Sequence, residues 1–213
     1  MKIGVLGTGM VGSTIATRLA ELGHEVMMGA RDGGNETARS WAESTGASHG
    51  TFADAARFGG LLFNCTRGTA AIEALHLAGA DNMEGKILVD VSNPLDFSSG
   101  MPPTLSVCNT DSLGEQIQRA FPGTKVVKAL NTTNCKVQVQ PDRVPGEHDL
   151  FVCGNDDGAK TEVTRLLRDE FGWKHVIDLG DISGARGMEM ILPIWVRLMG
   201  VLGTADFNFH IAN

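Results

Sequence analysis

The residues best placed to do chemistry stand at the start of the chain. Gly7, Gly9 and Gly12 follow the apolar run KIGVL in the pattern Gly7-Thr8-Gly9-Met10-Val11-Gly12. Glycines at this spacing between a strand and a helix let backbone N–H groups approach a pyrophosphate at the helix N-terminus. Gly7 makes the turn, Gly9 removes the side chain that would block the phosphates, and Gly12 lets the helix pack on the strand. The chemistry expected here is dinucleotide binding. Which dinucleotide depends on the end of the second strand, where Gly29 and Ala30 precede Arg31. A carboxylate there binds the ribose 2′-hydroxyl of NAD, whereas an arginine grips the 2′-phosphate of NADP with its planar fork. The sequence therefore favours NADP(H). Asp32 complicates the reading, since it could neutralise Arg31 or make Arg31–Asp32 an ordinary solvated turn.

Four further strand ends carry small polar residues: Asn64-Cys65-Thr66-Arg67-Gly68, Ser92-Asn93-Pro94, Asn131-Thr132-Thr133-Asn134 and the segment Asp178–Arg186. Asparagine and threonine offer uncharged hydrogen bonds to ribose and carboxamide groups, and Pro94 stiffens its loop. Each alone reads as a turn former; as a set converging beyond one sheet edge they read as a site. Arg67 is either a phosphate contact or an exposed loop arginine. The absences narrow the chemistry. The chain has no tyrosine, no GxSxG elbow and no HExxH helix, which removes a tyrosine-acid dehydrogenase, a serine hydrolase and a zincin. Its six histidines are scattered with no evident carboxylate partner. No catalytic side chain and no metal site are expected. Direct hydride transfer between two redox cofactors fits such a set, because the cofactors carry the chemistry and the protein aligns them.

The elements that position these residues are strand-like apolar blocks at Lys2–Leu6, Glu25–Met28, Leu61–Cys65, Lys86–Val91, Lys125–Leu130, Asp149–Cys153 and Lys174–Leu179. Helical spacing lies between them, at 11–22, 69–78, 112–120 (with a Ser112–Glu115 capping box) and 158–171. Continuous apolar blocks alternating with helices predict an α/β fold of Rossmann type: a doubly wound, mostly parallel sheet with a small helical C-terminal segment. Residues 1–180 read as the NADP-binding domain. Residues 181–213 read as a C-terminal helix and tail, either a homodimer surface or packed within the chain. The apolar stretch Met188–Leu202 reads as a buried or interface helix, and the tail Gly203–Asn213 as a loose strand. The long loops are 92–112 and 138–148.

The 213 residues carry a net charge of −7 with no basic run, so a nucleic-acid partner is not expected. The apolar stretch is too short for a bilayer span of ~20 residues, so no membrane partner is expected either. Four cysteines without metal spacing read as free thiols in a reducing compartment. A first strand beginning at residue 2 leaves no room for a signal peptide, so the expected location is the cytoplasm.

Taken together, GTGMVG at 7–12, GAR at 29–31, VSNP at 91–94, VVKALNTTN at 126–134 and IDLGDISGARGMEMILPIW at 177–195 resemble the NADP-dependent oxidoreductases of the deazaflavin coenzyme F420, which share a domain with the STEAP-type metalloreductases. The resemblance spans nearly the whole chain in order and spacing. It implies NADP held by Thr8, Gly9, Met10 and Val11 at the phosphates and by Ala30 and Arg31 at the 2′-phosphate. Thr66, Arg67, Asn93 and Pro94 would line the nicotinamide side. It further implies a second cofactor, coenzyme F420 or a flavin (FMN or FAD), in a pocket drawing on Asn131, Ser183 and Arg186; Arg186 reads equally as a core-capping arginine. The loop at 92–112 is longer than the archaeal enzymes lead one to expect, and would reshape or cover that pocket. Alternative readings are a β-hydroxyacid-type dehydrogenase or imine reductase, which needs a larger helical domain than the residues beyond 180 provide, and a non-catalytic NADPH sensor.

Overall fold

The computed structural model describes residues 1–212. Ten strands and ten α-helices alternate along the chain. Eight strands build one sheet, in the order β10-β9-β8-β5-β4-β1-β2-β3. They are β1 (Lys2–Leu6), β2 (Glu25–Ala30), β3 (Ser48–Thr51), β4 (Leu61–Asn64), β5 (Ile87–Asp90), β8 (Lys125–Ala129), β9 (Asp149–Gly154) and β10 (His175–Asp178). The short strands β6 (Leu95–Asp96) and β7 (Thr104–Leu105) pair as a hairpin inside the long loop. Six strands, from β3 across to β8, run parallel, and β9 turns antiparallel to β8. β10 then runs parallel to β9. The α/β fold with a mostly parallel sheet is as expected.

Helices cover both faces, which is why most of the strands are mainly apolar rather than alternating. One core packs Ile15 and Leu19 of α1 (Met10–Glu21), Trp41 of α2 (Glu36–Thr45), Val137 of α7 (Cys135–Val139) and Leu166 of α8 (Asp157–Asp169) on the sheet. The other packs α3 (Phe52–Phe58), α4 (Ala71–Ala78), Met83 of α5 (Ala80–Met83), α6 (Leu113–Ala120) and Met188 of α9 (Ala185–Met190).

Three expectations change. β3, α2 and α3 were not foreseen: β3 is the polar Ser48-His49-Gly50-Thr51, and α2 buries only Ala38, Trp41 and Ala42. The stretch Met188–Leu202 is not one helix. It breaks at Ile191 between α9 and α10 (Leu192–Leu202), with Pro193 in the first turn, and only Leu192 of α10 is buried. Residues 205–212 of the tail form no strand; Asp149 pins them, its N–H donating to Phe209 O (2.9 Å) and its Oδ2 accepting from the Ile211 N–H (2.6 Å). Asn213 lies outside the described residues.

Helix α6 starts at Ser112, whose hydroxyl oxygen accepts the Glu115 N–H (3.1 Å). The predicted capping box is half made. The Glu115 carboxylate takes the Ser112 hydroxyl (2.8 Å) and turns outward to Arg186 instead of back to the Ser112 backbone. Beside this cap, Asp111 receives both terminal nitrogens of Arg119 (3.0 and 2.8 Å), which with the Gln116 amide hold its carboxyl down at about 2. A lowered folded-state value contributes stability above the ordinary 3.8 and loses it as pH falls through about 2. Because the pair is solvated, Asp111→Asn is expected to lower the melting temperature by only about 1–3 °C at pH 7. Thermal scans at stepped pH should show that gap closing below about pH 4; a constant gap down to pH 2 would exclude the charge as its cause.

Candidate active site

The carboxyl ends of the six parallel strands define the edge where a ligand binds in such a sheet. At β1 the chain turns through Gly7, with φ at +122° and its N–H on Gly29 O (3.0 Å). A Cβ on Gly12 would stand 2.1 Å from Gly7 O, so the contact of helix with turn requires glycine there. A Cβ on Gly9 would meet nothing within 4 Å: the space before the helix is open. No side chain caps α1 and no acid lies in its first turn. Its leading N–H groups, those of Met10 and Val11 among them, thus lack intrahelical partners and favour an anion. At the end of β2, Ala30 is buried and Arg31 exposed. Asp32 does not neutralise Arg31; its carboxylate accepts the Gly34 N–H (3.0 Å) within its own turn. The cradle fits a phosphate-bearing dinucleotide.

Next to α1 a cavity of about 190 Å³ is walled by Val11, Cys65, Thr66, Arg67, Gly68, Val91, Ser92 and Asn93, with Leu95 and Phe97 from the β6–β7 hairpin. The long loop thus folds over this cavity. Among these walls are no histidine and no carboxylate. Burial first, then the charge of Asp90, push the Cys65 thiol far above its ordinary range, so it stays protonated. A cleft of about 790 Å³ lies elsewhere: it runs from Ser13 down α1 to Glu170 and mixes basic with acidic side chains.

Behind the cavity wall lies a feature that sequence reasoning missed. Strand register aligns Leu6, Asn64, Asp90, Lys128 and Cys153 in one row on one face of the sheet. Asn64, Asp90 and Lys128 are fully buried. Asn64 Nδ2 donates to Asp90 Oδ1 (2.8 Å), and Asn64 Oδ1 accepts the Thr66 hydroxyl (2.6 Å). The Ser92 hydroxyl also donates to Asp90 Oδ1 (2.6 Å). Lys128 Nζ reaches Asp90 Oδ2 (2.8 Å), Ser92 O (2.5 Å) and Glu189 Oε1 of α9 (2.8 Å). Burial disfavours the Lys128 charge, but the two carboxylates outweigh it and raise the ammonium's pKa. Glu189 in turn accepts the N–H groups of Leu113 (2.8 Å) and Gly114 (3.0 Å) at the start of α6. The signal available in the sequence was a single polar residue inside each of three apolar blocks: LLFN, ILVD and VVKA.

The structure brings together Thr66, Asn93, Pro94 and Asn131. Asn93 and Asn131 exchange two hydrogen bonds, Asn93 Nδ2 to Asn131 O (2.8 Å) and Asn131 Nδ2 to Asn93 Oδ1 (2.9 Å). Asn131 Nδ2 also donates to Met188 O (3.0 Å). Arg67 is exposed at the rim. Ser183 is not brought to this edge. Because β9 and β10 run against β8, the chain leaves β10 heading away from the edge, and it is α9 that climbs back. Ser183 is exposed and donates its N–H to Asp181, while Met188 and Glu189 arrive in its stead. Arg186 is engaged in a two-pronged ion pair with Glu115 (2.8 and 2.6 Å). Two histidines do hold carboxylates, His24 with Glu170 (2.5 Å) and His210 with Asp149 (3.1 Å), and neither lines the cavity. Among the described residues no group of three or more metal-ligating side chains is assembled.

A Rossmann sheet with an open helix N-terminus, and an exposed arginine closing β2, is the frame of an NADP-dependent oxidoreductase, and that is the class of this chain. The sequence profile of the family described as NADP oxidoreductase, coenzyme F420-dependent, matches residues 2–94. A solved structure from Arthrobacter sp. FB24, described as a candidate F420-dependent NADP-reductase, is 55% identical over the full length of both chains with a TM-score of 0.95. The chain belongs to this F420-dependent NADP oxidoreductase family. The F420-dependent NADP reductase of Methanocaldococcus jannaschii is 29% identical, covering 93% of this chain and 92% of that protein. The metalloreductase STEAP3 of Rattus norvegicus is also 29% identical over 91% of this chain, which spans only 38% of that longer protein. Imine reductases share the fold at identities that speak to the fold alone. No helix among the described residues is long and apolar enough to cross a membrane.

Gly68 tests the cavity wall. A Cβ there would fall 1.9 Å from Asn93 O, so the backbone of 66–68 sits directly on the Asn93–Pro94 loop. Gly68→Ala is expected to cost about 1–3 kcal/mol of stability in denaturant melts, since overpacking must displace one strand end or the other. An unchanged midpoint would mean that this contact is not rigid.

Proposed function

We propose that this protein transfers hydride directly between NADPH and a deazaflavin such as coenzyme F420, or a flavin (FMN or FAD). The observation that carries the reading is the makeup of the cavity beside the dinucleotide cradle: amides, hydroxyls and apolar walls, with no histidine or carboxylate and a thiol held protonated. Such a wall can hold two flat rings against each other but offers no acid or base for a carbonyl or imine substrate.

In this reading the N-terminus of α1 (Thr8, Gly9, Met10, Val11) binds the pyrophosphate, while Ala30 leaves room for the 2′-phosphate held by Arg31. Thr66, Asn93 and Pro94 line the nicotinamide side, with Arg67 at the rim. Asn131 Oδ1, buried without a partner among the described residues, is left to accept from a bound carboxamide. Leu95 and Phe97 exclude water above the ring. When bound, NADPH supplies the hydride; the chain's own residues supply alignment. The acceptor pocket draws on Asn131 and the C-terminal segment 181–213, whose helix α9 brings Met188 to the edge; Ser183 stands away from it and Arg186 is held by Glu115. The exposed apolar residues Ile194, Val201 and Leu202 of α10 support a homodimer, and the free cysteines support a reducing, cytoplasmic location.

The test is anaerobic reduction of F420 and of FMN by NADPH labelled with deuterium at nicotinamide C4. Direct transfer predicts that the label appears in the reduced deazaflavin. NADPH binding without reduction of either acceptor would overturn the reading. Separately, Arg31→Ala is expected to weaken NADPH about 10–100-fold in titrations, as for a lost charged hydrogen bond, and to leave NADH within about 3-fold. Equal losses would remove the 2′-phosphate role.

A further inference from the structure

The Asp90–Lys128–Glu189 cluster has no place in binding NADPH, and it lies wholly inside the protein. Two carboxyl side chains share one ammonium there. Apolar side chains of similar volume would satisfy the fold at least as well, because buried ion pairs are commonly neutral or worse for stability. What such a cluster offers is direction. One ammonium fixes three acceptors on two segments: Asp90 at the end of β5 with the carbonyl of Ser92 just beyond it, leading into Asn93–Pro94, and Glu189 on α9. Glu189 extends the reach to two amides of α6. The neighbouring bond from Asn131 to Met188 O repeats the connection one residue away.

We propose that Lys128 and Glu189 are positioning residues: a buried brace that sets the separation between the nicotinamide-side loop Ser92–Pro94 and helix α9, against which the acceptor ring rests. The inference rests on the functional reading above. The brace touches neither cofactor. It acts through Ser92 O on one side and the Met188–Glu189 turn on the other. Hydride transfer is steep in distance, and a misplacement of about 1 Å can cost on the order of 100-fold.

Glu189→Gln separates the two halves of the brace with little change in volume, keeping one oxygen for the Leu113 N–H of α6. The expected result is a folded protein whose NADPH dissociation constant, measured without acceptor, stays within about 3-fold, whereas kcat for the deazaflavin falls about 10–100-fold. The primary deuterium isotope effect from C4-labelled NADPH should rise as transfer becomes limiting. Lys128→Met should produce the same pattern more severely, and the double variant should lose no more than Lys128→Met alone, since both act through one connection. Unchanged kcat and isotope effect in folded Glu189→Gln would overturn the brace. So would a loss of NADPH affinity in step with kcat, which marks a cluster serving only the fold. If native protein reduces neither deazaflavin nor flavin, the functional reading falls and the brace with it. If native protein turns over and the variant matches it, only the brace falls.

Discussion

The ammonium of Lys128 is the constraint on which the ligand edge depends. A lysine with no exposed surface must be met by acceptors on every side, since its charge cannot be left unpaired in the interior. The parallel register supplies the first, Asp90, from the adjacent strand, with Asn64 one strand further on. The chain must then bring Glu189 across the sheet to close the shell, and this dictates where α9 lies. Removing either partner would leave an uncompensated buried charge, costing on the order of 3–5 kcal/mol. The cluster thus holds the C-terminal segment to the dinucleotide domain far more specifically than apolar contact could.

The same cluster shapes the chemistry of the cavity without entering it. The negative charge of Asp90 adds to burial in holding the Cys65 thiol protonated, so the one nucleophilic atom in the wall stays inert. Cys153, at the far end of the row, is pushed up to about 12 by burial, although the Lys128 charge pulls the other way. Both thiols are structural hydrophobes.

How much of this was legible in the sequence follows from which patterns are local. The glycine turn was legible because its three glycines meet needs of the turn itself, down to the 2.1 Å approach that bars a side chain at Gly12. The apolar strands were legible because a sheet covered on both faces leaves continuous blocks. The polar strand β3 and the sparsely buried α2 carry no such block and were invisible. Strand direction was equally hidden: β9 reads the same whichever way it runs, and its reversal is what sent Ser183 away from the edge. Arg186 was recognisable as important but not as Glu115's partner, because the contact spans 71 positions.

The reversal after β8 also decides where so small a C-terminal segment meets the sheet. Had β9 and β10 continued parallel, the chain would have emerged at the ligand edge as a loop. Running against β8, it emerges beneath the edge, and α9 rises along the face that already carries Asp90 and Lys128. A helix secured by a buried carboxylate gives a firmer floor than a loop held by turn chemistry. In the hydride-transfer reading proposed above, rigidity of that floor is the main contribution the chain can make to the rate. In that reading the buried carboxylate of Glu189 serves alignment rather than acid–base chemistry.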